Sequence, residues 1–201
     1  TPDKDGKMRF DHEMVARVTR TAIRMLDNVI DLNFYPTKDA ENGNTRHRPV
    51  GLGVRGYHDA LYALGIQFDS PEALTFADES MEVVAYYAIL GTCSTFKGSK
   101  WDRGIFPQDT LDLLEMQRGE EINVRRGGKL DWTPVREHVK KHGMRNSNTM
   151  AIAPTASTAN LVGCIPCVEP IYKNIYVKSN KEGEFVVVNK YLVEDLKQAD
   201  R

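Results

Sequence analysis

Apolar residues recur at three- and four-residue steps from Val15 through Val18, Ala22, Met25, Leu26 and Val29 to Ile30, while Arg17, Arg20, Arg24 and Asp27 fall largely elsewhere. This spacing predicts a long amphipathic helix packed on a core. Asp11 can cap it, and Asn33 with Pro36 signals its end. Residues 1–10 are polar and read as a frayed or solvent-exposed lead-in. Tyr57 to Leu64 reads as a short helix closed by Gly65. Ser70-Pro71-Glu72 supplies a cap, a proline for the first turn and an acid beside the helix N-terminus. The helix that follows carries Leu74, Ala77, Met81, Val84, Ala85, Ala88 and Ile89 on one side and should end at Gly91. Asp109 to Gln117 is a further helix. Another begins at Asp131 and Thr133-Pro134, turns Val135 and Val139 inward and stops at Gly143. A final helix, Tyr191 to Gln198, runs towards the C-terminus without a stop signal, which suggests truncation.

Other stretches follow a different period. Asn174 to Ser179 and Glu184 to Asn189 alternate about the turn Asn180-Lys181-Glu182-Gly183, the pattern of a β-hairpin. Pro49 to Gly56 reads as a strand in which glycines admit a neighbouring backbone or ligand. Its G-x-G is a weak dinucleotide signal, because no acidic partner is evident. The trio Arg46, His47 and Arg48 reads as a solvated strand entrance. Thr37 to Thr45 is predicted as a polar loop, Thr95 to Pro107 as irregular chain, and Arg118 to Lys129 as a polar loop with nearly balanced charge.

The stretch with most chemical content is Met144 to Pro170, MRNSNTMAIAPTASTANLVGCIPCVEP. A β-compatible run from Thr149 to Ala153 meets Pro154, which ends a ladder, and Thr155, Ala156, Ser157, Thr158 and Ala159 then supply small, hydroxyl-bearing residues. That is a strand, a turn and a helix start. Unpartnered backbone N–H groups and the positive end of the helix dipole favour an anion at such a place, and small side chains let a phosphate come close. The alternative is a plain N-cap, in which a hydroxyl satisfies an orphan N–H and binds nothing. Glu169 has two readings of its own: acceptor for a substrate hydroxyl, or structural partner of Arg145 or a backbone N–H.

Composition narrows the classes. The chain has 201 residues and a formal net charge of -1, so it offers no global attraction to nucleic acid or to an anionic membrane. No apolar run is long enough to span a bilayer, and the first residues do not form a signal peptide, which points to an intracellular, cytoplasmic protein. Cys93, Cys164 and Cys167 are too few for a secreted disulfide scaffold. Cys164 and Cys167 form a C-x-x-C that could hold a metal, cycle as a dithiol, or pack as small apolar thiols. His138 and His142 lie four apart without the zinc-protease glutamate and read as a solvated face or cap. No histidine near Ser157 in sequence could activate it as a nucleophile, so its natural role is binding and orientation.

Arg145-Asn146-Ser147, the run Ala153 to Ala159, Glu169-Pro170, residues 46–56 and the segment Tyr172 to Asn189 resemble the large, catalytic subunit of class I ribonucleotide reductase, over nearly the whole chain from about Asp11 to Leu196. The resemblance implies an α/β fold: the C-terminal part of a ten-stranded α/β barrel, with residues 11–201 as a partial catalytic domain. It implies that Pro154, Thr155, Ala156, Ser157, Thr158 and Ala159 bind the diphosphate of a ribonucleoside diphosphate. The family reduces such substrates to deoxyribonucleotides by thiyl-radical chemistry. The resemblance places the radical cysteine, the reducing pair and the effector-specificity loops before residue 1, and the radical-transfer tyrosines and cysteine tail after residue 201. It therefore implies no catalytic residue, metal or cofactor within this chain. The implied partners are a second large subunit, a small metal-containing subunit that generates the radical, nucleoside triphosphate effectors, and thioredoxin or glutaredoxin as reductant. One departure stands out. The family's helix before the Thr-Phe-Lys-Gly stretch continues into a glycine turn, whereas here Leu90-Gly91-Thr92-Cys93 runs directly into Ser94 to Gly98.

Overall fold

The computed structural model describes residues 1–92, 109–123, 128–181 and 183–199. Cys93 and the stretch Thr95 to Pro107 lie outside the described residues, as does part of Arg118 to Lys129. The elements are α1 (His12–Leu32), α2 (Lys38–His47), α3 (Tyr57–Leu64), α4 (Pro71–Thr92), α5 (Asp109–Arg118), α6 (Thr133–His142), α7 (Ala156–Val162), β1 (Ile175–Asn180), β2 (Gly183–Val188) and α8 (Lys190–Ala199).

Local signals set most boundaries. The Met14 N–H donates to Asp11 Oδ1, capping α1 as expected. Gly65 closes α3 at φ 68°, its N–H turned back to the Leu61 and Tyr62 carbonyls. Ser70 Oγ accepts from the Ala73 N–H at the head of α4, and α6 ends at Gly143 with Val135 and Val139 buried. The hairpin pairs β1 with β2 antiparallel, Ile175 opposite Val188 through Asn180 opposite Gly183. Residues 1–10 are mostly exposed but not frayed: Pro2 bridges Met8, and the Arg9 N–H donates to the Thr1 carbonyl.

Several expectations are corrected. The supposed loop Thr37 to Thr45 is α2, started by Thr37 Oγ1 accepting from the Ala40 N–H and carrying acids first and bases last. Cap and dipole complement make a helix of a segment with no apolar stripe. The buried stripe of α1 is Ala16, Thr19, Ile23, Asp27 and Ile30, whereas Val18, Met25 and Val29 are more than half exposed. Counting only apolar positions rotated the face, because Thr19 and Asp27 are buried. Leu74 of α4 is exposed, and that helix runs one residue past Gly91 to Thr92.

Helix α4 lies between two apolar clusters. Ala88 joins Ile23, Ile30 and Val50, while Ile89 joins Val135, Val139 and Met144. Helices α1 and α4 pack along each other and α6 covers the end of α4. Beneath α1, the extended segments around Leu52 and Met150 pair in parallel: the Leu52 N–H donates to the Thr149 carbonyl and the Ala151 N–H to the Leu52 carbonyl. Parallel neighbours joined by a helical crossover are the unit of an α/β barrel. The glycines of this segment admit its neighbour as expected, since a Cβ on Gly53 would lie 2.4 Å from the Ala151 carbonyl oxygen.

The trio Arg46 to Arg48 is not a solvated entrance throughout. Arg48 is 5% exposed, and its Nε donates to Asp27 Oδ1 at 2.8 Å while its terminal nitrogens clasp Asp31 at 2.7 and 2.8 Å. Asp27 also accepts from Arg145 Nε at 2.6 Å and Asn146 Nδ2 at 2.9 Å. Burial acts to raise the Asp27 pKa, but these donors outweigh it and hold the carboxyl below its ordinary value. This buried hub ties α1, the end of α2 and the start of the Arg145 to Ala153 segment together.

Candidate functional site

The segment that pairs with Leu52 leads through Ala153 and Pro154 into the turn singled out by its small hydroxyl residues. Thr155 adopts φ 52°, ψ 20°, a left-handed conformation unusual for a β-branched residue. It redirects the chain so that α7 begins at once. Pro154, Ala156, Ser157 and Thr158 are exposed, Thr155 is half-buried, and Ala159 is fully buried and anchors the turn. The six residues are thus brought together on one short loop and first helical turn.

The hydroxyls do not act as a plain N-cap. Thr155 Oγ1 faces the other way and accepts from the Cys167 N–H at 2.9 Å. The Thr158 hydroxyl donates to the Thr155 carbonyl, and no side chain caps α7. Without a side-chain cap, the start of α7 is the kind of helix N-terminus that favours an anion.

Behind the turn lies a bracing network that sequence reading missed. The loop after α7 folds back, with the Cys164 N–H donating to the Ala159 carbonyl. The Ile165 carbonyl accepts from the Gly56 N–H at 2.8 Å, and the Ile165 N–H donates to Asp59 Oδ2 at 2.6 Å. Asp59 Oδ1 accepts from the Tyr191 hydroxyl and lies 3.3 Å from Lys190 Nζ, both at the start of α8. Burial acts to raise the Asp59 pKa, but the bonds from Tyr191, Ile165 and Lys190 hold it below its ordinary value. Burial first, then the carboxylate, pushes Tyr191 up to about 12. The Tyr191 ring stacks on Tyr62 at 4.1 Å, and Tyr62 stacks on His58. His58 Nδ1 accepts from the Ile171 N–H, which requires that nitrogen to be unprotonated, and burial lowers its pKa. Sequence reading did not single out Asp59, because nothing local links it to Ile165, 106 residues away.

Arg145 is committed to Asp27 rather than to Glu169, which is exposed and whose N–H donates to the Pro166 carbonyl. Cys164 is half-buried and Cys167 buried, both as free thiols, and it is their backbone groups that serve the turn. His138 and His142 approach each other at 4.6 Å between ring centroids. Among the described residues no group of three or more His, Cys, Asp or Glu side chains could hold a metal ion.

The family model for the ribonucleotide reductase barrel domain matches residues 3–201. The ribonucleoside-diphosphate reductase subunit alpha of Chlamydia pneumoniae is 50% identical over 200 residues, covering 94% of this chain and 19% of that protein. The ribonucleoside-diphosphate reductase large subunits of Arabidopsis thaliana and Trypanosoma brucei brucei are each 40% identical, covering 96% of this chain and 23% and 24% of those proteins. The chain thus spans about a fifth to a quarter of the length of these curated relatives. With a matched barrel-domain model over nearly every residue and a parallel pair leading into the small-residue turn, the chain belongs to the ribonucleotide reductase barrel-domain family.

Proposed function

We propose that the turn Pro154 to Ala159 holds the diphosphate of a ribonucleoside diphosphate, and that this chain supplies substrate placement to a ribonucleoside-diphosphate reductase large subunit. The observation that carries the reading is the uncapped start of α7 behind the left-handed Thr155. Backbone N–H groups and the Ser157 hydroxyl meet the phosphate oxygens, and anchoring them fixes where the ribose lies. The chemistry supplied elsewhere in such an assembly is thiyl-radical reduction, with the radical cysteine and reducing pair outside this chain. A second large subunit, a small radical-generating subunit, nucleoside triphosphate effectors and thioredoxin or glutaredoxin complete the proposed reaction. The isolated chain binds without turning over. No helix among the described residues is long and apolar enough to cross a membrane, and we place the protein in the cytoplasm.

A second reading, a non-catalytic barrel piece that works only when complemented, is favoured by the apolar surface of the hairpin. Ile175 is 66%, Val177 59% and Val186 69% exposed, on a two-stranded sheet.

Titration calorimetry of the chain with a ribonucleoside diphosphate and with the unphosphorylated nucleoside tests the clamp. Binding should require the diphosphate, and Ser157→Ala with Thr158→Ala should weaken it about 2- to 13-fold, from the one Ser157 hydrogen bond of ~0.5–1.5 kcal/mol, the Thr158 hydroxyl being held by the Thr155 carbonyl. Equal affinity for the two ligands, or a folded protein that binds neither, refutes the clamp in the isolated chain and leaves the complementation reading.

A further inference from the structure

The phosphate turn does not hold its own shape. Thr155 sits in a left-handed conformation that is strained for a β-branched residue, and its hydroxyl accepts from an outside donor, the Cys167 N–H. Cys167 is itself left-handed, at φ 49°. Two such residues facing one another across a short loop stay in place only when the loop between them is fixed from outside.

The fixing points are on α3. Ile165 is gripped on both backbone groups, its carbonyl by the Gly56 N–H and its N–H by Asp59 Oδ2. Gly56 is left-handed as well, at φ 75°, and a Cβ there would lie 3.4 Å from Asp59 Oδ2 and 3.5 Å from the Cys164 Cβ. The loop and the head of α3 are therefore in close contact. Asp59 is the one side chain in this set that also reaches α8, through Tyr191 and Lys190. Tyr191 is braced in turn by its stack on Tyr62, one turn along α3 from Asp59.

We propose that Asp59 is a positioning residue for the phosphate turn: by holding Ile165, it sets Cys167 against Thr155 and so fixes the direction of the first α7 N–H groups, with Tyr191 locking the carboxylate from α8. This rests on the phosphate-clamp reading for its functional meaning, while the mechanical link stands on the hydrogen bonds themselves. Asp59 touches no substrate; it acts through Ile165, Cys167 and Thr155. The C-terminal helix thereby becomes part of the substrate site's support.

The test separates the two claims. In ligand-free protein, Asp59→Asn should move the amide ¹H–¹⁵N resonances of Cys167, Thr155, Ala156 and Ser157, residues that a change confined to α3 and α8 would leave in place. Asp59→Asn should also weaken ribonucleoside diphosphate binding about tenfold. Thr155→Val, which removes the acceptor for the Cys167 N–H, should move the same turn resonances and match the Asp59→Asn loss. Unmoved turn resonances in a folded Asp59→Asn protein overturn the positioning role. If the unsubstituted chain does not bind the diphosphate, the clamp reading fails while the resonance shifts still decide the link. Should Asp59→Asn not fold, Tyr191→Phe perturbs the same carboxylate more mildly. The same turn resonances should then move by a smaller amount, and their failure to move overturns the proposal.

Discussion

Replacing Asp27 by Asn removes one negative charge from the hub beneath α1 at almost constant volume. The carboxylate accepts three side-chain bonds: Arg48 Nε and Asn146 Nδ2 on Oδ1, and Arg145 Nε on Oδ2. An amide has one oxygen, so in either orientation its NH2 group meets at least one donor. Arg48 is 5% exposed and keeps only Asp31, whose side chain is 53% exposed, as a carboxylate partner. Breaking a buried ion pair by removing one partner costs ~3–5 kcal/mol, and the surviving Asp31 clasp places this substitution near the lower end, about 3 kcal/mol. For a chain of this size that is a Tm loss of roughly 6–12 °C. The assay is urea unfolding followed by circular dichroism, with the midpoint and slope compared between variants. Asp31→Asn serves as the internal control and should cost only about 0.5–1 kcal/mol, because its carboxylate is solvated. The pH dependence adds a sign. Asp27 has a lowered pKa in the folded state, so the unfolded chain binds the proton more readily. Its contribution is present above the ordinary aspartate value and is lost as pH falls through the folded value. Equal losses for the two aspartates, or an Asp27→Asn loss below about 1 kcal/mol with an unchanged slope, refutes the claim that the buried hub is a stability determinant.

Two glycines should respond in opposite directions. Gly53→Ala drives a Cβ to 2.4 Å from the Ala151 carbonyl and should lower stability by about 1–3 kcal/mol, whereas Gly43→Ala, in open space within α2, should raise it by about 0.5–1 kcal/mol; thermal unfolding of both variants checks the pair. Tyr191 has a raised pKa of about 12, so its contribution is complete below pH 10 and is lost as pH rises towards 12. An ultraviolet titration should show a tyrosine step near 12, and Tyr191→Phe should abolish that step. His58 has a lowered pKa from burial, so its contribution is present above its ordinary 6.5 and falls away as pH drops below it. Its ring resonances should therefore titrate below 6.5, and a midpoint at or above that value contradicts the neutral acceptor role.

The sequence by itself determined the elements whose causes are local. Asp11, Gly65, Ser70 and Gly143 set helix ends through their own side chains or their freedom at positive φ. The hairpin followed from alternation, and the small-residue turn and the family resemblance were legible from Pro154 to Ala159. What the sequence could not show depends on partners far along the chain. Asp27 is buried because Arg48 and Arg145 arrive from 21 and 118 residues away, and without them an acid on α1 reads as solvent-facing. The left-handed Thr155 and the turning of its hydroxyl towards Cys167 require Ile165 to be held by Asp59, 106 residues earlier. Only the tertiary structure decided that the turn is uncapped and that α3 and α8 brace it. Periodicity and capping act within a few residues, whereas a buried charge or a strained backbone is tolerated only where distant groups converge on it.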